Sequence, residues 1–325
     1  MNSRIISVNE SLSMLKDILP LEVPFLATIS IGNTCDFKCI YCGQHKRNPS
    51  EYKLMTMDEF GMVAEQLAAF PKPLRQVTFV SSGETLLNRR LPDMIRIVKE
   101  RNIADKVKII TNGSQLSPDY TDRLIDAGLD NIKISLQGIT QEAYEKTCGV
   151  PMDFERYISN ISYLYKHRKN CKVHVKVIDI ALSEGENEKF YELFRDISDS
   201  MYIEHCVQEG VASDNKYFQS VTDTNICPLA FYSLFIDEHL DVFPCCMVNR
   251  DMVEPEQILG NIRDITLEKL WQTSFRKIWN GLLTQNIETG HVCHGCVRFK
   301  GFIREEDVID DAIEEILGRI HTQCI

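Results

Sequence analysis

The stretch Cys35-Asp36-Phe37-Lys38-Cys39-Ile40-Tyr41-Cys42 sets three thiols in a Cys-x3-Cys-x2-Cys spacing, just after an apolar run from Phe25 to Ile31. Three thiolates on one short loop can hold three irons of a [4Fe–4S] cube, leaving the fourth iron without a protein ligand. A structural zinc ion needs closed tetrahedral coordination, hence a fourth ligand nearby. His45 is the nearest candidate, so the loop alone leaves zinc open. A second set of thiols follows far along the chain: Cys227, the pair Cys245-Cys246, and Cys293-His294-Gly295-Cys296. Four thiolates drawn from separated segments suit an iron–sulfur cluster or zinc equally by geometry.

The composition narrows the setting for this chemistry. The chain has 325 residues, enough for one large α/β domain or one domain with a small appendage. Its net charge of −11 argues against non-specific binding to nucleic acid or to an anionic membrane. Twelve cysteines are many, yet the chain is too long for a secreted disulfide framework. Asn9, Glu10 and Asp17 interrupt any signal-peptide core, and no run is apolar enough to span a bilayer. A reducing cytoplasm is the expected location, with thiolate–metal chemistry explaining the cysteines.

The elements that must position the thiols alternate regularly. Residues 1–24 read as a short leader helix, ended near Pro20 and Pro24. Phe25–Ile31 is the first strand and delivers the first cysteine loop. A helix starts at Thr56 with Glu59 completing a capping box, and runs to about Phe70. Strands follow at Gln76–Ser81, Lys106–Thr111, Asn131–Gln137, Lys172–Ile180 and Met201–Val207. Between them lie helices at Leu91–Arg101, from Ser117-Pro118 to Gly128, at Phe154–Lys169 and at Asn187–Ile197. Strand–helix alternation with right-handed crossovers predicts a parallel sheet. Beyond it, 237–244 reads as a hairpin leading to Cys245, and Gly260-Asn261 and Leu270-Trp271 follow in a helical stretch. Residues 303–325 read as an acidic helical tail packed on the sheet domain.

Successive strand residues point to opposite faces. Ile132, Ile134 and Leu136 form one set, leaving Lys133, Ser135 and Gln137 opposite; Val173, Val175 and Val177 form another, leaving His174 and Lys176. In the last strand Met201, Ile203 and Val207 leave Glu204 and Cys206. One face must pack on helices, so the polar sets line the interior, and a polar interior implies a polar ligand. The alternative is that Lys133 and His174 sit low in the interior as satisfied pairs.

The cysteine loop, with an aromatic residue before its third cysteine, resembles that of the radical S-adenosylmethionine (SAM) enzymes. The resemblance implies a partial (β/α)6 TIM-like barrel over residues 25–215, with chemistry at the C-terminal ends of the strands. It implies SAM on the open iron of a cluster held by Cys35, Cys39 and Cys42, and Tyr41 beside it. Ser82-Gly83-Glu84-Thr85 is similar to the family's Gly-Gly-Glu-Pro segment, with Ser82 for the first glycine and Thr85 for the proline. Gly83 and Glu84 would then orient the SAM amino group. Thr111-Asn112-Gly113 and Ser135-Leu136-Gln137-Gly138 match further SAM-lining segments, which implies roles for Asn112, Ser135 and Gln137. Where the family often has an arginine on the SAM carboxylate this chain has Cys148, and Lys146 or Lys176 would replace the charge. The later cysteines resemble a small SPASM/Twitch appendage over residues 216–302, with a helix over 303–325 after it. They imply one auxiliary [4Fe–4S] cluster on Cys227, Cys245, Cys293 and Cys296, with Cys246 competing for the place of Cys245. A zinc staple is the alternative.

The resemblance fixes radical initiation and leaves the reaction open. Dehydrogenation of a secondary alcohol would use the auxiliary cluster as electron acceptor, an arrangement similar to that of 2-deoxy-scyllo-inosamine dehydrogenase. Glu204 and Lys176 are then candidate catalytic residues and the substrate is a small polar, sugar- or cyclitol-like molecule. Epimerisation would need a thiol hydrogen donor, for which Cys206 is best placed and Cys148 and Cys246 are alternatives. Peptide modification ranks below these, since 24 residues leave no room for a leader-binding domain. A zinc-stapled binding module is the non-enzyme alternative. Flavodoxin or ferredoxin is the implied electron donor.

Overall fold

A computed structural model describes residues 14–43, 47–204, 224–246, 248, 250, 253–288, 291–294, 296 and 303–322. In chain order the helices are α1 (Leu15–Ile18), α2 (Met57–Ala68), α3 (Leu91–Glu100), α4 (Pro118–Asp126), α5 (Gln141–Cys148), α6 (Phe154–His167) and α7 (Glu186–Phe194). They continue with α8 (Leu229–Tyr232), α9 (Leu267–Gln272), α10 (Ser274–Leu283) and α11 (Ile313–Thr322). The strands are β1 (Leu26–Ser30), β2 (Leu74–Val80), β3 (Ala104–Thr111), β4 (Asn131–Leu136), β5 (Lys172–Ile178) and β6 (Ser200–Glu204). After them come β7 (Ser233–Ile236), β8 (Asp241–Phe243) and β9 (Gly260–Asn261). The chain divides into two compact units, one with Ile29–Phe60 and Val77–Gly210, the other with Arg4–Thr28, Gly61–Gln76 and Val211–Ile325.

The first unit is a partial barrel, its strands ordered β6-β5-β4-β3-β2-β1. β3 through β6 pair in parallel, with Lys133 opposite His174, Ser135 opposite Lys176, and Ile178 opposite Glu204. The odd–even alternation holds: Ile132, Ile134, Val173, Val175 and Val177 are fully buried. Burying each such side chain contributes roughly 1.5–3 kcal/mol, and a one-residue slip would expose the whole set. The helix starts follow their caps. Thr56 and Glu59 exchange the two expected hydrogen bonds, at 3.0 and 3.2 Å. Ser117 accepts from the Tyr120 amide at 3.3 Å, with Pro118 in the first turn.

One helix was not expected. α5 is capped by Thr140, which accepts from the Ala143 amide at 3.1 Å, and ends at Gly149 in the left-handed region (φ 65°). It occupies eight residues of what was expected to be a plain connection between a strand and the next helix.

In the second unit β7, β8 and β9 follow the beginning of β1, and β7–β8 and β8–β9 are antiparallel. The expected hairpin is present. Asp237 shapes its turn by accepting from the amides of His239 and Asp241 at 2.8 and 2.9 Å. Gly260-Asn261 forms strand β9 instead of helix, and the helical stretch begins only at Leu267. The Asn261 amide group donates to the His239 carbonyl and to Asp241 at 3.0 and 2.7 Å, tying it to the hairpin. The core is aromatic. Trp271 and Trp279 meet edge to face at 5.0 Å, and their indole N–H groups donate to the carbonyls of Leu21 and Ala230. In the tail, Arg319 donates to the carbonyls of Lys16 and Asp17, and Lys16 pairs with Asp311.

Candidate metal and cofactor centre

In the first unit, β1 ends at Ser30 and the chain turns through Gly32 into the cysteine loop. The loop is seated by its backbone. The amides of Lys38 and Ile40 donate to the carbonyls of Cys148 and Thr147 at 3.0 and 2.9 Å, so the end of α5 caps itself on the loop. The Cys42 amide closes back on the Cys39 carbonyl at 3.0 Å. Asp36, between the first two cysteines' side, fastens the other flank. Its carboxylate accepts from Asn112 Nδ2 at 3.0 Å, Ser114 Oγ at 2.6 Å and Gln115 Nε2 at 2.9 Å.

The turn after β2 lies against the same loop. The Ser82 and Glu84 amides donate to the carbonyls of Gly32 and Thr34 at 2.9 and 2.8 Å. A Cβ on Gly83 would stand 2.1 Å from the Thr34 carbonyl oxygen, so no other residue fits without moving backbone. Glu84 is buried, and its carboxylate accepts from Thr111 Oγ1, the Asn112 amide at 2.7 Å and the Leu86 amide at 2.8 Å. Three of its roughly four acceptor positions are thus taken by the protein. Burial nonetheless raises it to about 7. Asn112 is equally occupied, its carbonyl accepting from Tyr157 Oη at 2.6 Å.

The thiols are partly buried and interact with one another. Burial pushes Cys35 up to about 12, with the Phe37 amide donating to its sulfur at 3.4 Å. Cys148 and then Tyr41 act on Cys39 by hydrogen bonding and hold it below its ordinary value. Tyr41 also donates to Gln137 Oε1, joining the loop to the end of β4. Buried thiols with raised values are ready for a cation, whose charge inverts that preference and deprotonates them. Three sulfurs, one loop and an amide donor to sulfur fit a cube with one open iron. Among the described residues no group of three or more His, Cys, Asp or Glu side chains is gathered tightly enough for one metal ion. A four-iron cube holds its sulfurs farther apart than the ~4 Å between ligands of one tetrahedral zinc.

The remaining expected residues are placed as follows. Cys148 is buried at the end of α5, beside Cys39. Lys176 and Glu204 form an ion pair across β5 and β6. Ser135 lies opposite Lys176 in the register. Cys206 and His45 lie outside the described residues. The fastening role of Asp36 and the inward place of Tyr202 have no signal in the local sequence pattern, and helix α5 has only its end residues Thr140 and Gly149. Tyr202 lies two residues before Glu204 on the same face of β6, opposite Lys176 in the register.

In the second unit, Cys227, Cys293 and Cys296 lie near enough for their charges to interact, and Cys245 and Cys246 act with Cys227 on Tyr232. Burial raises Cys227 and Cys293 to about 12. The Cys293 amide donates to His291 Nδ1 at 3.1 Å and the Cys296 amide to the Cys293 carbonyl at 3.4 Å, forming a tight turn. Cys246 is exposed and Cys245 half-buried, and the donor set suits a second cluster.

Comparisons with known proteins agree with this geometry. Residues 29–197 match the radical SAM superfamily and residues 227–297 match SPASM, an iron–sulfur cluster-binding domain. A protein from Methanococcus maripaludis named probable GTP 3',8-cyclase is 37% identical over 118 residues, 36% of this chain and 38% of that protein. A protein of the same name from Methanococcus vannielii is 25% identical over 303 residues, 91% of this chain and 89% of that one. The match to the first of these spans under half of the relative's length. Among solved structures, BtrN in complex with AdoMet and 2-DOIA has a TM-score of 0.56 at 16% identity, covering 87% of this chain and 97% of that one. anSMEcpe with bound AdoMet has a TM-score of 0.60 at 13% identity, covering 92% and 99%. These likenesses carry the fold. A radical SAM domain followed by a SPASM domain brings SAM and two [4Fe–4S] clusters as cofactors. Three cysteines seated between α5 and the Ser82–Glu84 turn, and a match to more than half of the sequence, give one conclusion: the chain belongs to the radical SAM superfamily.

Proposed function

We propose that this enzyme oxidises a secondary alcohol of a small polar, sugar- or cyclitol-like substrate. When bound, SAM and its cluster supply a 5'-deoxyadenosyl radical able to take hydrogen from a carbon. Cys35, Cys39 and Cys42 hold that cluster, and Tyr41, Gly83, Glu84, Asn112, Ser135 and Gln137 shape the SAM side. In such an oxidation the alcohol would lose a hydrogen atom from its carbon, a proton from its hydroxyl and one electron, for which a cluster on Cys227, Cys245, Cys293 and Cys296 would be the acceptor. A carbonyl results and 5'-deoxyadenosine leaves. Glu204 is the candidate acceptor of the hydroxyl proton, and Lys176 holds its carboxylate in place.

The observation that carries this reading is the set Cys227, Cys245, Cys293 and Cys296, which supports a second cluster to accept the electron. The polar row on β4, β5 and β6 supports a polyhydroxylated substrate. A flavodoxin or ferredoxin is the proposed reductant. Product analysis in deuterated solvent tests the reading. A carbonyl product supports it; solvent deuterium fixed at a carbon would replace it with epimerisation by a thiol, Cys206, Cys148 or Cys246. A second reading, cyclisation of a purine nucleotide, is favoured by the alignment over 91% of the chain with a protein named for that activity. Turnover of GTP by the reduced protein would establish it.

A further inference from the structure

The inner face of the barrel holds two buried polar atoms that have no partner among the described residues. His174 and Tyr202, on β5 and β6, are only 8% and 9% exposed. Nδ1 of His174 lies 2.7 Å from Ser200 Oγ. Among the described residues its Nε2 has no partner, and neither does the Tyr202 hydroxyl. A buried polar group left unpaired is costly, so these atoms favour a ligand that pairs with them. Both belong to one face, since Lys133 pairs with His174, Ser200 follows His174, and Tyr202 follows Lys176 in the next row.

The surroundings of the two atoms are cationic. Lys133 Nζ stands 5.4 Å from the centroid of the Tyr202 ring. Burial first, and then Lys108, Lys133 and Lys172, disfavour protonation of His174, against the pull of Asp199. A neutral imidazole carries one N–H. The Ser200 hydroxyl can donate to Nδ1, which places the ring proton on Nε2. The two unpartnered atoms are then both donors. The nearby carboxylates are engaged: Asp199 accepts from the Val173 amide at 2.8 Å and pairs with Arg168 and Lys172, and Glu204 pairs with Lys176.

Neutral donors framed by lysines complement an anion with several acceptor oxygens and more than one negative charge, which describes a phosphate better than a carboxylate. We infer that His174, Tyr202, Lys133 and Lys108 form a phosphate subsite on the inner face of the barrel. The polar substrate proposed above then carries a phosphate ester or diphosphate, an inference that rests on that reading of the inner face.

Isothermal titration of the reconstituted holoprotein tests it, with inorganic pyrophosphate, glucose 1-phosphate and glucose as probes. Saturable binding of pyrophosphate or glucose 1-phosphate is expected, with glucose at least about tenfold weaker. The stronger of the two phosphates separates a diphosphate from a monoester. Tyr202→Phe, which removes one oxygen and keeps the ring, and His174→Gln are each expected to weaken binding about tenfold or more. Lys133→Met should weaken it and flatten its salt dependence. Should His174→Gln fail to fold, Tyr202→Phe and Lys133→Met decide the matter. Absence of saturable binding, or affinity unchanged in the folded variants, overturns the inference. Cleavage of SAM by the reduced wild-type protein is measured alongside. If it persists without phosphate binding, the subsite alone is lost; if it is absent, the radical reading falls as well.

Discussion

At the scale of residues, the site is held by contacts that a short motif does not display. Gly83 is a glycine because the Thr34 carbonyl occupies the space of a side chain. Gly83→Ala is therefore expected to destabilise the apo protein by ~2–4 kcal/mol in urea unfolding and to lower its iron uptake on reconstitution. Asp36 carries a different message. Its three partners lie at 112–115, so nothing local in Cys35-Asp36-Phe37 announces a fastener. His174 gives a pH prediction. Burial first, then Lys108, Lys133 and Lys172, lower it from 6.5 to about 4, against the pull of Asp199. Above pH ~6.5 the ring is neutral in both folded and unfolded chains and contributes nothing. Between pH ~6.5 and 4 the unfolded chain binds a proton that the folded one does not, so stability falls as pH falls. The full loss is ~3 kcal/mol, complete below the folded value. Unfolding curves of wild type and His174→Gln should diverge in that window; parallel curves would contradict the assignment.

At the scale of elements, periodicity and caps made most of the barrel legible. Val173, Val175 and Val177 alternate with polar neighbours because one face packs on helices, and β5 lies where that alternation runs. Thr56 with Glu59 and Ser117 with Pro118 announced α2 and α4. α5 was missed although Thr140 and Gly149 mark its ends, because its eight residues carry a weak apolar stripe between two stronger signals. Yet α5 seats the cysteine loop through the carbonyls of Thr147 and Cys148. Thr140→Ala should cost ~1 kcal/mol of stability, and in the loaded enzyme should speed loss of cluster iron in air. β9 was read as helix because Gly260 and Asn261 have no strand pattern of their own; their place comes from hydrogen bonding to the hairpin.

At the scale of the whole molecule, each unit brings its own set of thiols, Cys35, Cys39 and Cys42 in one and Cys227, Cys245, Cys293 and Cys296 in the other. Cys296→Ala should lower bound iron from ~8 to ~4 per chain while the SAM-dependent signal persists; loss of all iron would mean that the two sites do not load independently. The chain has no helix, among the described residues, long and apolar enough to cross a membrane. The most direct test of the central claim is electron paramagnetic resonance of the reduced, reconstituted protein with and without SAM, alongside chromatography for 5'-deoxyadenosine. The expected result is a cluster signal that changes when SAM is added, 5'-deoxyadenosine formed, and both lost in Cys42→Ala. A protein that takes up zinc in place of iron, or a cluster signal indifferent to SAM, would contradict it.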